Sequence, residues 1–242
     1  MRFAICLAVL LFPAVAWAAV DTDGDGLTDD QEIKVYYSDP FLADTDGDGY
    51  DDNEELVNGF SPTVAGRRLI ELDSDGDGLN DGYELALKTD IKNPDTDNDG
   101  FSDGQEFNNG YDPTTAGPVK LSKSILIDLS EQQLWRMLGP VILNKYQVST
   151  GKASTPTPVG QFAVQNKYFR PFSKMAGLYM PYWLGFNGPY GMHELPEWPG
   201  GFKEGAEHLG TPVSHGCVRL SHEAALTLYH WADIGTPVMV RP

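Results

Sequence analysis

Cys217 lies in the run Ser214-His215-Gly216-Cys217-Val218-Arg219, and a second histidine, His193, stands upstream of it. The chain's other cysteine, Cys6, falls in an N-terminal stretch expected to leave on export. Cys217 then has no partner for an internal disulfide, and a reactive thiol becomes the leading reading. A thiol nucleophile needs a base, oxyanion donors and access. His193 or His215 supplies the base. Backbone N–H groups around Gly216 and Cys217 supply the donors, because glycine lets the chain bend tightly. The chemistry predicted is acyl transfer through a thioester. His208 reads as a loop residue, and His222 and His230 as packing or surface residues. One thiol without recognisable ligand spacing argues against a zinc site.

A second chemistry is written four times, as D-x-D-x-D-G-x-x-D-x-x-E. The first copy holds Asp21, Asp23, Asp25, Asp29 and Glu32, and the second Asp44, Asp46, Asp48, Asp52 and Glu55. The third holds Asp73, Asp75, Asp77, Asp81 and Glu84, and the fourth Asp95, Asp97, Asp99, Asp103 and Glu106. Calcium takes about six to eight hard oxygens, and carboxylates at positions 1, 3, 5, 9 and 12 of a loop can wrap it. Position 7 would add its backbone carbonyl, and glycine at position 6 permits the sharp turn. A longer repeat overlies the loops: residues 58–66 (NGFSPTVAG) return as 109–117 (NGYDPTTAG), 51 positions on. The module therefore reads as a duplicated pair of loops. Without divalent ions, carboxylates at this density repel one another and resist compaction. A disordered acidic linker would not keep four copies in register.

The elements that position these groups differ between the halves. In the acidic half no convincing entering helix precedes each loop, and only short helical turns are expected, near 54–57 and 83–88. Residues 117–123 read as a linker. Strands follow at 125–129 and 133–137, joined as a hairpin by 130–132, and again at 141–148. The runs 149–152 and 155–160 are turn-rich. A helix is predicted from Ser221, as N-cap, to Ile234, with Gly235 beyond it, and a last strand at 236–240. The C-terminal half is therefore mostly β, with a helix just after the cysteine.

Address and charge support two modules. Arg2, the apolar run 4–15 and Ala16-Trp17-Ala18 form a secretory signal with its cleavage site, too short to span a bilayer. No later segment could span one, so a periplasmic or cell-envelope location is expected. Residues 19–118 hold 27 acidic and 5 basic residues, against 8 and 11 in residues 119–242. The acidic half would repel phosphates and the other half has no basic stripe, which excludes nucleic-acid binding. The expected division is a signal at 1–18, calcium-loop repeats at 19–117 and a catalytic domain at 118–242.

The four loops resemble bacterial thrombospondin type 3 repeats, which implies a calcium-organised stalk with little regular structure. Residues 121–241 resemble the L,D-transpeptidase catalytic domain, the YkuD family. That resemblance rests on Ser149-Thr150-Gly151-Lys152, the run 157–162 (TPVGQF), Met180-Pro181-Tyr182, Gly191-Met192-His193 and the hexapeptide around Cys217. It implies a β-sandwich-like domain with a mixed sheet and no catalytic cofactor. It further implies Cys217 as nucleophile, His193 as its activator, and the Glu194 carbonyl as the group orienting the imidazole. His215, Gly216 and the Cys217 amide would surround the oxyanion, while Ser214, Arg219, Met180 and Tyr182 would support the site or contact substrate. Two departures stand out. Twenty residues separate His193 from Ser214, so the insert 196–212 is expected at the cleft rim, and Arg219 stands where many members carry Asn.

The resemblance implies an exported enzyme that acylates its cysteine with a peptidoglycan stem peptide. It would pass the acyl group to an amine on another stem or on a wall-anchored protein. Two rivals remain at this stage. One is an L,D-carboxypeptidase or hydrolase that uses the same acyl-enzyme. The other is a calcium-dependent wall-binding or adhesion protein whose catalytic domain is inactive.

Overall fold

A computed structural model describes residues 19–242. The expected signal peptide at 1–18, with Cys6, lies outside the described residues. The rest forms two compact units. One takes the residues up to Asp75 together with Asn80–Leu85 and Asp90–Lys92; the other takes Gly76–Leu79, Ala86–Thr89 and Asn93–Pro242.

In the first unit each loop runs directly into a helix that begins at position 9. The helix α1 (Asp29–Gln31) passes into a π-helical turn at Glu32–Tyr36. The second helix, α2, spans Asp52–Asn58. Carboxylates in the first turn suit the positive end of the helix dipole, so the last loop positions are already helical. This is why α2 and α3 (Asp81–Leu87) run longer than the single turns expected at 54–57 and 83–88. A 3₁₀ turn at Leu69–Glu71 leads into the third loop.

In the second unit, α4 (Asp103–Asn108) follows the fourth loop. Eleven strands come next: β1 (Lys123–Asp128), β2 (Gln133–Leu138), β3 (Val141–Gln147), β4 (Gly160–Ala163), β5 (Asn166–Tyr168), β6 (Phe172–Ser173), β7 (Leu178–Tyr179), β8 (Trp183–Asn187), β9 (Tyr190–Glu194), β10 (Val218–Leu220) and β11 (Pro237–Arg241). One helix, α5 (His222–Trp231), stands between β10 and β11. Five strands form one sheet in the order β3-β2-β1-β11-β4, and four form another in the order β10-β9-β8-β5. Both sheets are mixed, because β1 pairs with β11 in parallel and β9 pairs with β10 in parallel. The protein is thus mostly β in its C-terminal half, with a helix just after Cys217.

The two sheets share one core. Ile125, Ile127, Leu134, Val238 and Val240 from the first meet Leu184, Phe186, Met192, Val218 and Leu220 from the second, with Ala224, Ala225 and Leu228 of α5 beside them. Phe162 and Phe186 join β4 to β8 with ring centroids 5.4 Å apart. Burying the Val, Leu, Ile, Met and Phe side chains among these contributes roughly 1.5–3 kcal/mol each. The alternation of buried and open positions they impose fixes which residues point away from the core. The helix α5 is capped by Ser221 Oγ, which accepts from Ala224 N–H. It stops at Trp231 rather than Ile234, where Ala232 turns extended and buries itself fully.

Candidate active site and calcium loops

The register of β9 against β10 builds the site. Val218 faces Met192, and both are fully buried in the core. Arg219 pairs with His193, so His193 and Arg219 lie on the opposite face, as does Cys217, one residue before Val218. His193 is buried, and its Nδ1 lies 2.5 Å from the Glu194 carbonyl oxygen. A carbonyl only accepts, so Nδ1 carries the hydrogen and Nε2 keeps the lone pair. The imidazole stacks on Trp183 at 5.9 Å, and the Trp183 indole N–H donates to Asn166 Oδ1 at 2.8 Å. Gly191 admits this packing, since a Cβ there would come within 2.7 Å of the Trp183 ring. Trp183 and Asn166 hold the imidazole in place, and neither carries a local sequence motif that marks it.

The turn carrying Cys217 is tied down by the motifs around it. Ser214 Oγ donates to the Cys217 carbonyl at 2.6 Å and accepts from Gly216 N–H at 3.0 Å. Thr157 Oγ1 donates to the Gly216 carbonyl and accepts from Gly151 N–H. Ser149 and Arg219 exchange backbone hydrogen bonds of 3.0 and 2.9 Å, and Lys152 N–H reaches the Ser214 carbonyl at 3.1 Å. Gly216 has φ of 110°, and a Cβ on it would lie 2.3 Å from the Tyr190 ring. Ser149, Gly151, Lys152 and Thr157 thus serve as the cradle of the cysteine turn.

Cys217 is half-buried and free, with Sγ 3.8 Å from the Pro189 carbonyl oxygen. Burial pushes the thiol up from its ordinary value, and a hydrogen bond from the Gly191 backbone together with the Arg219 charge offsets part of that. Burial likewise pulls His193 down to about 4, against the Glu194 hydrogen bond that favours the charged form. Desolvation therefore keeps both groups neutral at rest.

The remaining expected site residues occupy several places. Arg219 is committed to Glu204, with Nη1 2.8 Å from Oε1. Glu204 belongs to the insert 196–212, also faces His208 Nδ1 at 2.8 Å, and has Oε2 buried without a partner. This ion-pair partner escaped the sequence reading because nothing local links positions 204 and 219. The His215 side chain is exposed. The Glu194 carboxylate is buried and meets Lys203 Nζ at 3.1 Å and His222 Nδ1 at 3.2 Å. Met180 N–H donates to the Pro171 carbonyl. The Tyr182 ring packs on Phe169, His222 and Tyr229.

The acidic loops have their own logic. Positions 1, 3 and 5 converge in Asp21, Asp23 and Asp25, in Asp44, Asp46 and Asp48, and in Asp95, Asp97 and Asp99, each trio offering oxygens within 4.8 Å of one another. The buried position-12 glutamates close the sites, and Glu32, Glu55 and Glu106 each keep one buried oxygen without a partner. So do Asp23, Asp46 and Asp97 at position 3. Burial first, and then the neighbouring aspartates, push Glu32, Glu55 and Glu106 up to about 7. Buried, unpaired, mutually repelling hard oxygens are the donor set that a calcium ion neutralises, so these residues fit that ion.

Position 9 differs from the other four. Both oxygens of Asp29 accept from the backbone and hydroxyl of Thr22, at 2.9 and 2.8 Å. Asp52 accepts likewise from Thr45, Asp81 from Ser74 and Asp103 from Thr96. This clamp holds position 2 to position 9, and the Thr or Ser at position 2 was not singled out in the sequence. The position-5 carboxylates link segments: Asp25 Oδ2 accepts from Asn53 N–H, and Asp77 Oδ2 from Gly104 N–H. In the second loop of each pair the donor stands 18 residues on, Gly66 for Asp48 and Gly117 for Asp99. These two glycines end the nine-residue repeat, which explains the 51-residue period.

Residues 122–240 match the L,D-transpeptidase catalytic domain family, YkuD. Residues 21–43, 44–59, 73–90 and 95–116 match the bacterial TSP3 repeat. The chain thus carries bacterial TSP3 repeats followed by a catalytic domain of the L,D-transpeptidase family. Two Bacillus subtilis (strain 168) proteins that carry L,D-transpeptidase names are similar to it. YkuD is 26% identical over 129 residues, covering 53% of this chain and 71% of that one. YqjB is 26% identical over 142 residues, covering 53% and 76%. Among solved structures, an L,D-transpeptidase from Stackebrandtia nassauensis is 28% identical with a TM-score of 0.44. That match covers 50% of this chain, which spans only 56% of the solved one.

Proposed function

We propose that this protein is an exported L,D-transpeptidase acting on peptidoglycan, held to its place of action by a calcium-bound repeat module. The observation that carries the reading is the register that sets His193 opposite Arg219, two residues beyond Cys217, with Nδ1 of the imidazole bound to the Glu194 carbonyl and Nε2 left to take a proton.

In this mechanism the neutral thiol gives its proton to His193 Nε2 as sulfur attacks a stem-peptide carbonyl, that of the diamino acid at position three of a tetrapeptide. The carbonyl oxygen becomes an oxyanion, received by backbone N–H groups at the Gly216–Cys217 turn. The imidazolium returns the proton to the departing amine, D-Ala leaves, and a thioester remains. An amine from a neighbouring stem or from a wall-anchored protein then attacks the thioester, losing its proton to His193 and regenerating the thiol. Glu204 and Arg219 hold the rim loop against the turn, and Met180, Tyr182 and His215 line the approach. The repeat module is taken to run over 19–117 and the catalytic domain over 118–242, behind a secretory signal at 1–18.

Purified protein incubated with muropeptides and read by mass spectrometry tests this. Cross-linked dimers are expected from the parent chain and none from Cys217→Ala, with the circular dichroism spectrum unchanged. Trimmed monomers alone would assign a carboxypeptidase. Full turnover by Cys217→Ala would remove the thioester mechanism altogether.

A further inference from the structure

The loop chemistry needs only a backbone carbonyl at position 7, yet the side chains there fall into two kinds. Leu27 and Leu79 are buried, whereas Tyr50 and Phe101 stand 58% and 60% exposed. Each exposed ring lines a cleft, of about 400 Å³ beside Tyr50 and about 460 Å³ beside Phe101. Both volumes fall among small-molecule sites, roughly 300–1,000 Å³. The linings correspond across the 51-residue period: Tyr50, Asn58 and Phe60 in one cleft, Phe101, Asn109 and Tyr111 in the other.

Both clefts are braced in the same way. Arg68 lies over the Phe60 ring at 5.1 Å, and Lys120 over Tyr111 at 5.8 Å. Each asparagine donates its amide N–H back to a helix carbonyl, Asn58 to Glu54 and Asn109 to Gln105, both at 2.7 Å. The amide is thereby held in one orientation, with its carbonyl oxygen left to accept. Gly66 and Gly117, which carry no side chain to fill the cleft, hold the position-5 carboxylates Asp48 and Asp99 at its edge. Two aromatic walls and a fixed amide recur where the ion itself asks for neither.

We propose that each of the two clefts binds a pyranose segment of a neutral sugar chain. Aromatic faces take the C–H side of a pyranose, and the fixed amide, with Glu54 or Gln105 beside it, takes hydroxyl or acetamide groups. The loop carboxylates at the edge turn away anions. The choice of a wall glycan as the natural chain rests on the function proposed above; the sugar class rests on the clefts alone.

The test uses the mature full chain carrying Cys217→Ala, loaded with calcium and titrated calorimetrically with chitotetraose, the tetramer of N-acetylglucosamine. Saturable binding is expected, about tenfold weaker in the Tyr50→Ala/Phe101→Ala double variant, with calcium uptake and melting temperature unchanged. Both rings are more than half exposed, so their removal leaves the fold intact. No binding by the parent, or equal affinity in the double variant, overturns the proposal. Self-association of the parent that the double variant loses would also overturn it, since a second copy would then fill the clefts. The nucleophile is absent throughout, so the outcome is independent of turnover.

Discussion

At the scale of single residues, burial decides the resting state of the site. His193 is pulled down to about 4 by loss of solvent, well below the ordinary imidazole value of 6.5. A folded-state value below the unfolded one means that the unfolded chain binds more protons between pH 4 and 6.5. Stability therefore rises with pH across that window and is complete above it. The single group contributes on the order of 3 kcal/mol. Turnover should follow the folded value: we expect the acid limb of kcat/KM to fall near pH 4, with a plateau through pH 6. A limb centred at 6.5 would mean an imidazole open to solvent. His193→Gln should flatten the stability slope between pH 4 and 6.5 in chemical denaturation. Cys217 and His193, the proposed nucleophile and base, could be singled out in the sequence because residue type and local motif carry that signal. Glu204, Trp183 and Asn166 could not, because each meets its partner only across the fold, and a lone Glu or Trp carries no spacing signal.

At the scale of elements, the turn between the insert and β10 concentrates the constraints. Ser214, Thr157 and Tyr190 all close on Gly216, whose φ of 110° is left-handed and whose missing Cβ makes room for the Tyr190 ring. Gly216→Ala should lower stability by about 1–3 kcal/mol through strain and the displaced ring. It should also reduce acylation of Cys217 by a carbapenem, read as adduct mass, much more than it perturbs the far-ultraviolet spectrum. Equal rates of adduct formation would show that the turn tolerates a side chain. The hairpin β1–β2, the strand β3 and the helix α5 followed from periodicity and a Ser N-cap, all local signals. The pairing of β9 with β10 in parallel did not, because 23 residues lie between Glu194 and Val218. Helix lengths in the loops were underestimated, since the position-9 aspartates that read as ion ligands are also the first residues of their helices.

At the scale of the whole molecule, the acidic repeats depend on charge neutralisation. A net charge of −18 for the full chain, with most acidic residues in one half, opposes compaction unless cations enter. Differential scanning calorimetry with calcium and with excess chelator should therefore move the transition of the repeats by many degrees. Stability indifferent to chelator would remove the ion from the account of these loops. The catalytic sheet presents a different dependence. Its β11, residues Pro237–Arg241, is an interior strand, set between β1 and β4. More than a hundred residues separate β1 from its parallel neighbour. The five-stranded sheet cannot close until β11 is in place between β1 and β4, so its folding rests on a pairing of high sequence separation. A copy broken before β11 would leave β1 and β4 without their shared neighbour and the apolar interior open to proteases.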